Sequence, residues 1–252
     1  MLNINYFKAI QNAVGNKHLK DTKVNETIKQ FEDRFDSSIN VEYDVTRNDV
    51  QQTFIITPKT DDKNKCDIVT RPNEELNIGD IIYWHKLHWI VTDKEFDNSI
   101  YNIGEMTRCN RTIKWQNPDT LEIIERWCLV EKPYTSNIKK NNYMSLSQRE
   151  YQITIPYDEE TKLVDIDKRF MLEIINGKPR TYSVTCVDTN TNRYQDIKGG
   201  FLVWNLTQDQ SEQPNDNVEL EICDYVKNSD TNTDTGESDG DLWIWKNMMM
   251  CF

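Results

Sequence analysis

Two of the three histidines in the chain, His85 and His88, lie three residues apart in the segment His85-Lys86-Leu87-His88. Such a pair opens a metal site only when further donors converge on it. The pair falls between two strand-like runs, Ile81 to Trp84 and Trp89 to Thr92, so a solvent-facing hairpin tip is the expected role. Asp188-Thr189-Asn190-Thr191-Asn192 begins like a calcium loop, but Arg193 stands where that loop needs Gly, and Gly199 where it needs a bidentate Glu. A polar hairpin turn is expected there. Asp230 to Gly236 comes closer to a cation loop, with its glycine one place late and no flanking helices. Asp158-Glu159-Glu160 puts adjacent carboxylates on a turn, where they point apart and lack a facing partner at the ~5–10 Å of a glycosidase pair. The sequence has no G-x-x-x-x-G-K-[ST] phosphate loop, no G-x-S-x-G elbow and no H-E-x-x-H. No catalytic residue, metal ligand or cofactor is assigned, and the chain reads as non-enzymatic.

Composition points the same way. Asp and Glu number 42 against 30 Lys and Arg, a net charge of −12, and no basic cluster stands out. Tight phosphate binding needs concentrated Lys and Arg, so DNA is expected to pass nearby without specific binding. The apolar set makes up 37% of residues and charged residues 29%, and no run approaches a membrane span. The N-terminus lacks the basic start and apolar core of a secretory signal, so the chain is expected to stay in the cytoplasm where it is made. The six cysteines, Cys66, Cys109, Cys128, Cys186, Cys223 and Cys251, show no C-x-x-C spacing and read as reduced, mostly buried thiols.

The elements that carry these residues follow from periodicity. Phe7, Ile10 and Val14, then Val24, Ile28, Phe31 and Phe35, recur at helical spacing and predict short helices within an N-terminal segment 1–35. Beyond it the period drops to two. Val41, Tyr43 and Val45, a turn at Arg47-Asn48-Asp49, and Val50 to Ile56 predict a hairpin, and further short strands follow as far as Val130. An antiparallel β-barrel over 36–133 is expected, with Tyr83, Trp84, Trp89, Tyr101, Trp115 and Trp127 supplying its core and one interface face. After the polar connector Pro133 to Asn142, strand density over 134–227 predicts an immunoglobulin-like β-sandwich, ending in a strand at Val218 to Tyr225. Residues 228–241 carry five acidic residues, no basic ones and no Val, Ile, Leu or aromatic, and read as a flexible linker. The final stretch 242–252 is apolar at nine of eleven positions. It reads as an extended tail that docks on another chain through Leu242, Trp243, Ile244, Trp245, Met249 and Phe252.

Leu76 to Trp84, closed by Trp89-Ile90-Val91-Thr92-Asp93, resembles a hairpin of small β-barrel proteins in bacteriophage head-to-tail connectors. Gly104 to Gln116, Arg169 to Leu172, Tyr182 to Asp188 and Lys198 to Trp204 are similar to strands of neck proteins from phages of low-GC Gram-positive bacteria. The resemblance implies a head-closure or stopper-like virion protein of the neck. It would form a homo-oligomeric ring of six or twelve copies between the portal or adaptor and the tail or collar proteins, helping to retain DNA and dock the tail. The hairpin residues Tyr83, Trp84, His85, His88 and Trp89 are the expected ring contacts. The alternative is a tail-tip or capsid-decorating protein whose β-sandwich contacts carbohydrate.

Overall fold

A computed structural model describes residues 19–98, 100–132, 150–195, 197–209 and 213–227. The protein is mainly β. Helix α1 (Leu19–Ser37) leads into β1 (Val41–Arg47), β2 (Val50–Pro58), β3 (Lys65–Thr70), β4 (Ile81–Trp84), β5 (Leu87–Lys94) and β6 (Ile103–Arg108). These strands close into a barrel in the order β1-β2-β3-β6-β5-β4. Closure comes from Thr46 and Arg47 of β1 pairing with Tyr83 and Ile82 of β4. Alternation puts Val45, Phe54, Ile68, Ile82, Val91 and Met106 inside with no exposed surface. Each such side chain contributes about 2 kcal/mol by leaving water.

The helix follows the periodicity closely, since only Val24, Ile28, Phe31 and Phe35 are withdrawn from solvent between Lys23 and Ser37. Phe31 stacks on Tyr101 at 3.8 Å, and the Arg71 guanidinium covers the Phe35 ring at 4.6 Å. The earlier helical expectation, Phe7 to Val14, lies outside the described residues.

The sheets divide earlier than the polar connector suggests. Thr112–Trp115 and Leu121–Val130, expected in the first barrel, fall in β7 (Arg111–Gln116) and β8 (Ile123–Glu131), a hairpin of the second sheet. Leu129 to Glu131 of β8 pair with β9 (Glu150–Pro156), which β12 (Phe201–Asp209), β11 (Lys178–Asp188) and β10 (Arg169–Ile175) extend in the order β10-β11-β12-β9-β8-β7. One curled sheet therefore replaces the two facing sheets of an immunoglobulin-like sandwich. Its edge strands are drawn together by aromatic packing. Trp115 of β7 meets Phe170 of β10 edge to face at 5.9 Å, and Phe170 stacks on Trp204 at 5.4 Å. Arg111 also donates from Nη1 to the Leu172 carbonyl at 2.9 Å.

Val218 to Tyr225 is not a strand. It forms turns with a single bridge between Asn217 and Ile222, within a strap of residues 213–227. Arg169 holds this strap through Asp209, Asp216 and Asp224 at 2.9–3.0 Å. Gln116 fixes its end, donating to the Val226 carbonyl and accepting from the Val226 N–H.

The barrels meet through main chain. Gly79 has φ +86°, and a Cβ there would lie 1.9 Å from the Gly200 carbonyl oxygen, while Gly200 donates its N–H to the Ile78 carbonyl at 2.6 Å. Ile78, Ile90, Cys109 and Phe201 form a small core beside this crossing. The chain passes between the barrels at Asn110, whose side chain caps Val130 in both directions at 2.7 and 2.8 Å.

Gly79→Ala should therefore cost about 3 kcal/mol or more, the sum of left-handed strain and overpacking. Gly177→Ala, with φ +74° but nothing within 4 Å of its Cβ, isolates the strain and should cost only about 1–2 kcal/mol. Urea denaturation of the two variants measures the difference.

Candidate functional site

The barrels enclose a cleft of about 860 Å³ on one side of the glycine crossing. Its first wall is the β4–β5 hairpin. The turn residues His85 and Lys86 both have positive φ, at 50° and 63°, the geometry of a tight two-residue hairpin. Strand alternation then splits the expected ring-contact residues. Trp84 and Trp89 turn into the barrel core, at 8% and 4% exposure, while Tyr83, His85 and His88 remain on the outer side. The position of the hairpin is set by Asp80. Its carboxylate accepts from Arg47 Nη1, Asn48 Nδ2 and the Asn77 N–H at 3.2, 2.8 and 2.7 Å. Asn48 completes the lock by accepting the Ile81 N–H at 2.9 Å.

The second wall is β8. Trp127, 37% exposed, lies parallel to the His88 ring at 4.0 Å, and Tyr83 sits 4.9 Å from His88 on the first wall. Three rings thus run across the joint between the barrels. Beside them Arg126 donates to Asp158 at 2.7 Å and to Glu160 at 2.9 Å. Burial works against the Asp158 carboxylate, yet the hydrogen bonds from Arg126 and Thr161 hold it below the usual range. Asp158 also caps the short 3₁₀ turn Thr161–Leu163, accepting the Glu160 and Thr161 N–H groups. With Glu159 paired to Lys162, every acid of the run Asp158-Glu159-Glu160 is engaged in an ion pair.

A second cleft of about 460 Å³ opens where Lys65, Thr92 and Glu105 face Leu129, Thr154 and Tyr194. Its character is ionic. Glu105 is gripped by Lys59 and by Lys65, and although burial raises its pKa, these two lysines bring it below the usual value.

His85 and His88 do not converge. His85 stacks on Trp84 at 4.2 Å and faces Glu42 at 3.9 Å, while His88 stacks on Trp127. Among the described residues no group of three or more His, Cys, Asp or Glu side chains could hold a metal ion. Asp188 accepts the Asn190 and Thr191 N–H groups at 3.0 Å, the polar turn expected of it. Cys66, Cys109, Cys128 and Cys223 are buried free thiols and Cys186 is exposed. Burial pushes Cys109 up to about 12 and Cys66 up to about 11. The tail residues Leu242, Trp243, Ile244, Trp245, Met249 and Phe252, and the loop Asp230 to Gly236, lie outside the described residues.

Sequence reasoning missed the crossing of Gly79 with Gly199 and Gly200, and the pairing of Trp127 with His88. Only the scarcity of glycine, eight in the whole chain, could have flagged Lys198-Gly199-Gly200 as more than a turn.

Desolvation lowers the His88 pKa from its ordinary 6.5, and Asp49 offsets this in part. The fold therefore favours the neutral ring. This stabilisation is complete above the unfolded value and is lost as pH falls through the lower folded value. His88→Phe keeps a ring against Trp127 but cannot titrate. The urea midpoint of the native protein should fall more between about pH 7 and pH 5 than that of the variant. Parallel pH profiles would show that His88 is not the responsible group.

Comparison with known proteins adds two matches. The YomX N-terminal domain matches residues 5–108 and the YomX C-terminal domain residues 85–200. The first match ends at Arg108, the last residue of the first barrel. No curated protein and no solved structure matches the chain. YomX is a protein of a Bacillus phage region, so both domains are phage-associated. Over residues 5–200 the chain is thus similar to the two YomX domains, in their order, which is consistent with a phage protein.

Proposed function

We propose that the chain is a structural subunit of the phage neck, assembled as a ring between the portal or adaptor and the tail, where it helps close the head, retain DNA and dock the tail. The observation that carries this reading is the backbone lock between two β-barrels in a phage-associated chain. A load-bearing ring needs subunits whose parts do not hinge, and main-chain contact at Gly79 and Gly200 leaves little freedom to do so.

The first barrel offers a lateral face. Ile39, Tyr43 and Val50 are 98%, 57% and 63% exposed on the segment from the end of α1 through the β1–β2 hairpin. Apolar side chains standing clear of the surface fit a contact between copies. The net charge of −12, repeated around such a ring, would repel DNA and suit a conduit. No helix among the described residues is long and apolar enough to cross a membrane.

Mass photometry of the purified protein, alone and with portal or adaptor rings, tests the assembly. Discrete multiples are expected, and the paired variant Tyr43→Glu and Val50→Glu should reduce them at least tenfold while leaving circular dichroism unchanged. Low-salt gel shifts should show weak duplex binding or none. A strictly monomeric protein missing from purified particles would overturn the neck assignment.

A further inference from the structure

The aromatic cleft between the barrels is preformed and polarised, with ring faces on both walls and carboxylates at the rim. Tyr83 and Trp127 keep 40% and 37% of their surface exposed although both belong to rigid strands. Asp49 and Glu125 stand exposed at the edge of the same cleft. It suits a short segment with aromatic side chains and one positive charge. The sequence holds such a segment, Leu242 to Phe252, with Trp243 and Trp245 two residues apart and Lys246 as its only charged side chain. In an extended strand those two tryptophans face one side, about 7 Å apart, and can enter the cleft together.

The path between segment and cleft is short. The described chain ends at Lys227, just after Val226 is pinned by Gln116, whose partner on β8 is Ile123. Trp127 lies four residues further along the same strand, on the order of 13 Å away. The 14 residues 228–241 span on the order of 20 Å as a coil, so the segment reaches the cleft without leaving its own subunit. Ile123, 48% exposed, alternates in register with Trp127 and extends the apolar surface back toward the point of departure.

We propose that the cleft between the barrels is the receptor for the C-terminal segment Leu242–Phe252, and that in the free subunit the chain's own segment fills it. The sequence alone pointed to a groove on a neighbouring chain. The exit point at Val226 puts the subunit's own cleft within reach first, and tethering gives that contact a local concentration in the millimolar range. This inference does not depend on the neck assignment, because it is read on the isolated protein.

The test uses full-length chains and a fluorescein-labelled peptide with the sequence of residues 241–252, followed by fluorescence anisotropy. Trp243→Ser with Trp245→Ser empties the cleft of its own segment while leaving both barrels intact. That variant should bind the peptide at least tenfold more tightly than the unaltered chain, and adding Trp127→Ala should weaken binding at least tenfold. Circular dichroism of all three chains should coincide, since Trp127 lies at the surface. Equal binding by the unaltered and the emptied chain would show that the cleft is not self-occupied and would overturn the proposal. So would no binding to the emptied chain, or binding indifferent to Trp127→Ala. Saturable binding of chitotetraose in place of the peptide, lost with Trp127→Ala, would assign the cleft to a sugar and also overturn it.

Discussion

Where Gly79 passes Gly200, a β-carbon on the first would sit 1.9 Å from the carbonyl oxygen of the second, so the barrels approach as bare main chain. Three hydrogen bonds fix the crossing. Gly200 N–H donates to Ile78, Gly79 N–H to Val91 and Tyr157 N–H to Gly200, at 2.6, 2.8 and 3.0 Å. The crossing joins β5 of the first barrel to the end of β9 in the second through two residues in positive-φ conformations. Side-chain packing alone would tolerate a shift of an ångström or so. Interlocked carbonyls and amides do not, because a displaced pair leaves buried polar groups unsatisfied.

The placement of the cleft residues follows from that contact. Asp80, next to the crossing, gathers Arg47, Asn48 and Asn77 on one carboxylate and so couples the β1–β2 turn to the start of β4. Tyr83 and His88 are therefore carried at a fixed height above the second barrel, and the His88 ring meets Trp127 face to face. At least two opposing effects act on His88. Packing against an indole favours any flat ring, while withdrawal from water disfavours the charged form, and the lowered pKa shows that desolvation outweighs the attraction of Asp49.

Much of this was legible wherever a pattern is local. The helix face at Val24, Ile28, Phe31 and Phe35, the hairpin turn at Asn48 and Asp49, and the β4–β5 hairpin all follow from spacing and turn chemistry within about twenty residues. Partnership between distant strands was not legible. Thr112 to Trp115 and Leu121 to Val130 carry the alternation of any strand, and nothing in it says that Trp115 packs on Phe170 and not on Trp89. The polar connector at Pro133 drew the expected boundary toward itself, but it joins two neighbours of a single sheet, β8 and β9. The Val218 to Tyr225 run misled for a related reason. Its buried Ile222 and Cys223 mimic a strand, while Asn217, Glu221 and Asp224 take turn conformations that let three aspartates reach Arg169. At the candidate site, Tyr83 and His88 were legible as a hairpin, whereas Trp127, from the opposite wall, was read as part of the same barrel.

The two barrels are closed by different means, and this decides which can open. In the first, β1 and β4 complete the ring with backbone pairing, so opening it exposes amides and carbonyls to loss. In the second, β7 and β10 pair with no shared ladder. Their seam is held by the Trp115–Phe170 contact, by Arg111 on the Leu172 carbonyl, and by the strap that Arg169 and Gln116 fasten across it. Arg169 is 8% exposed and faces three carboxylates, of which the Asp216 side chain is 2% exposed. An arginine fork satisfies several acceptors at once, so the cluster is hydrogen-bonded throughout, but it carries excess negative charge in a poorly solvated place. Its strength rests on all three aspartates being ionised and on the strap staying in register. The second barrel is therefore the member of the pair whose closure depends on a terminal segment, and that same segment delivers the chain to the cleft side of β8 at Val226.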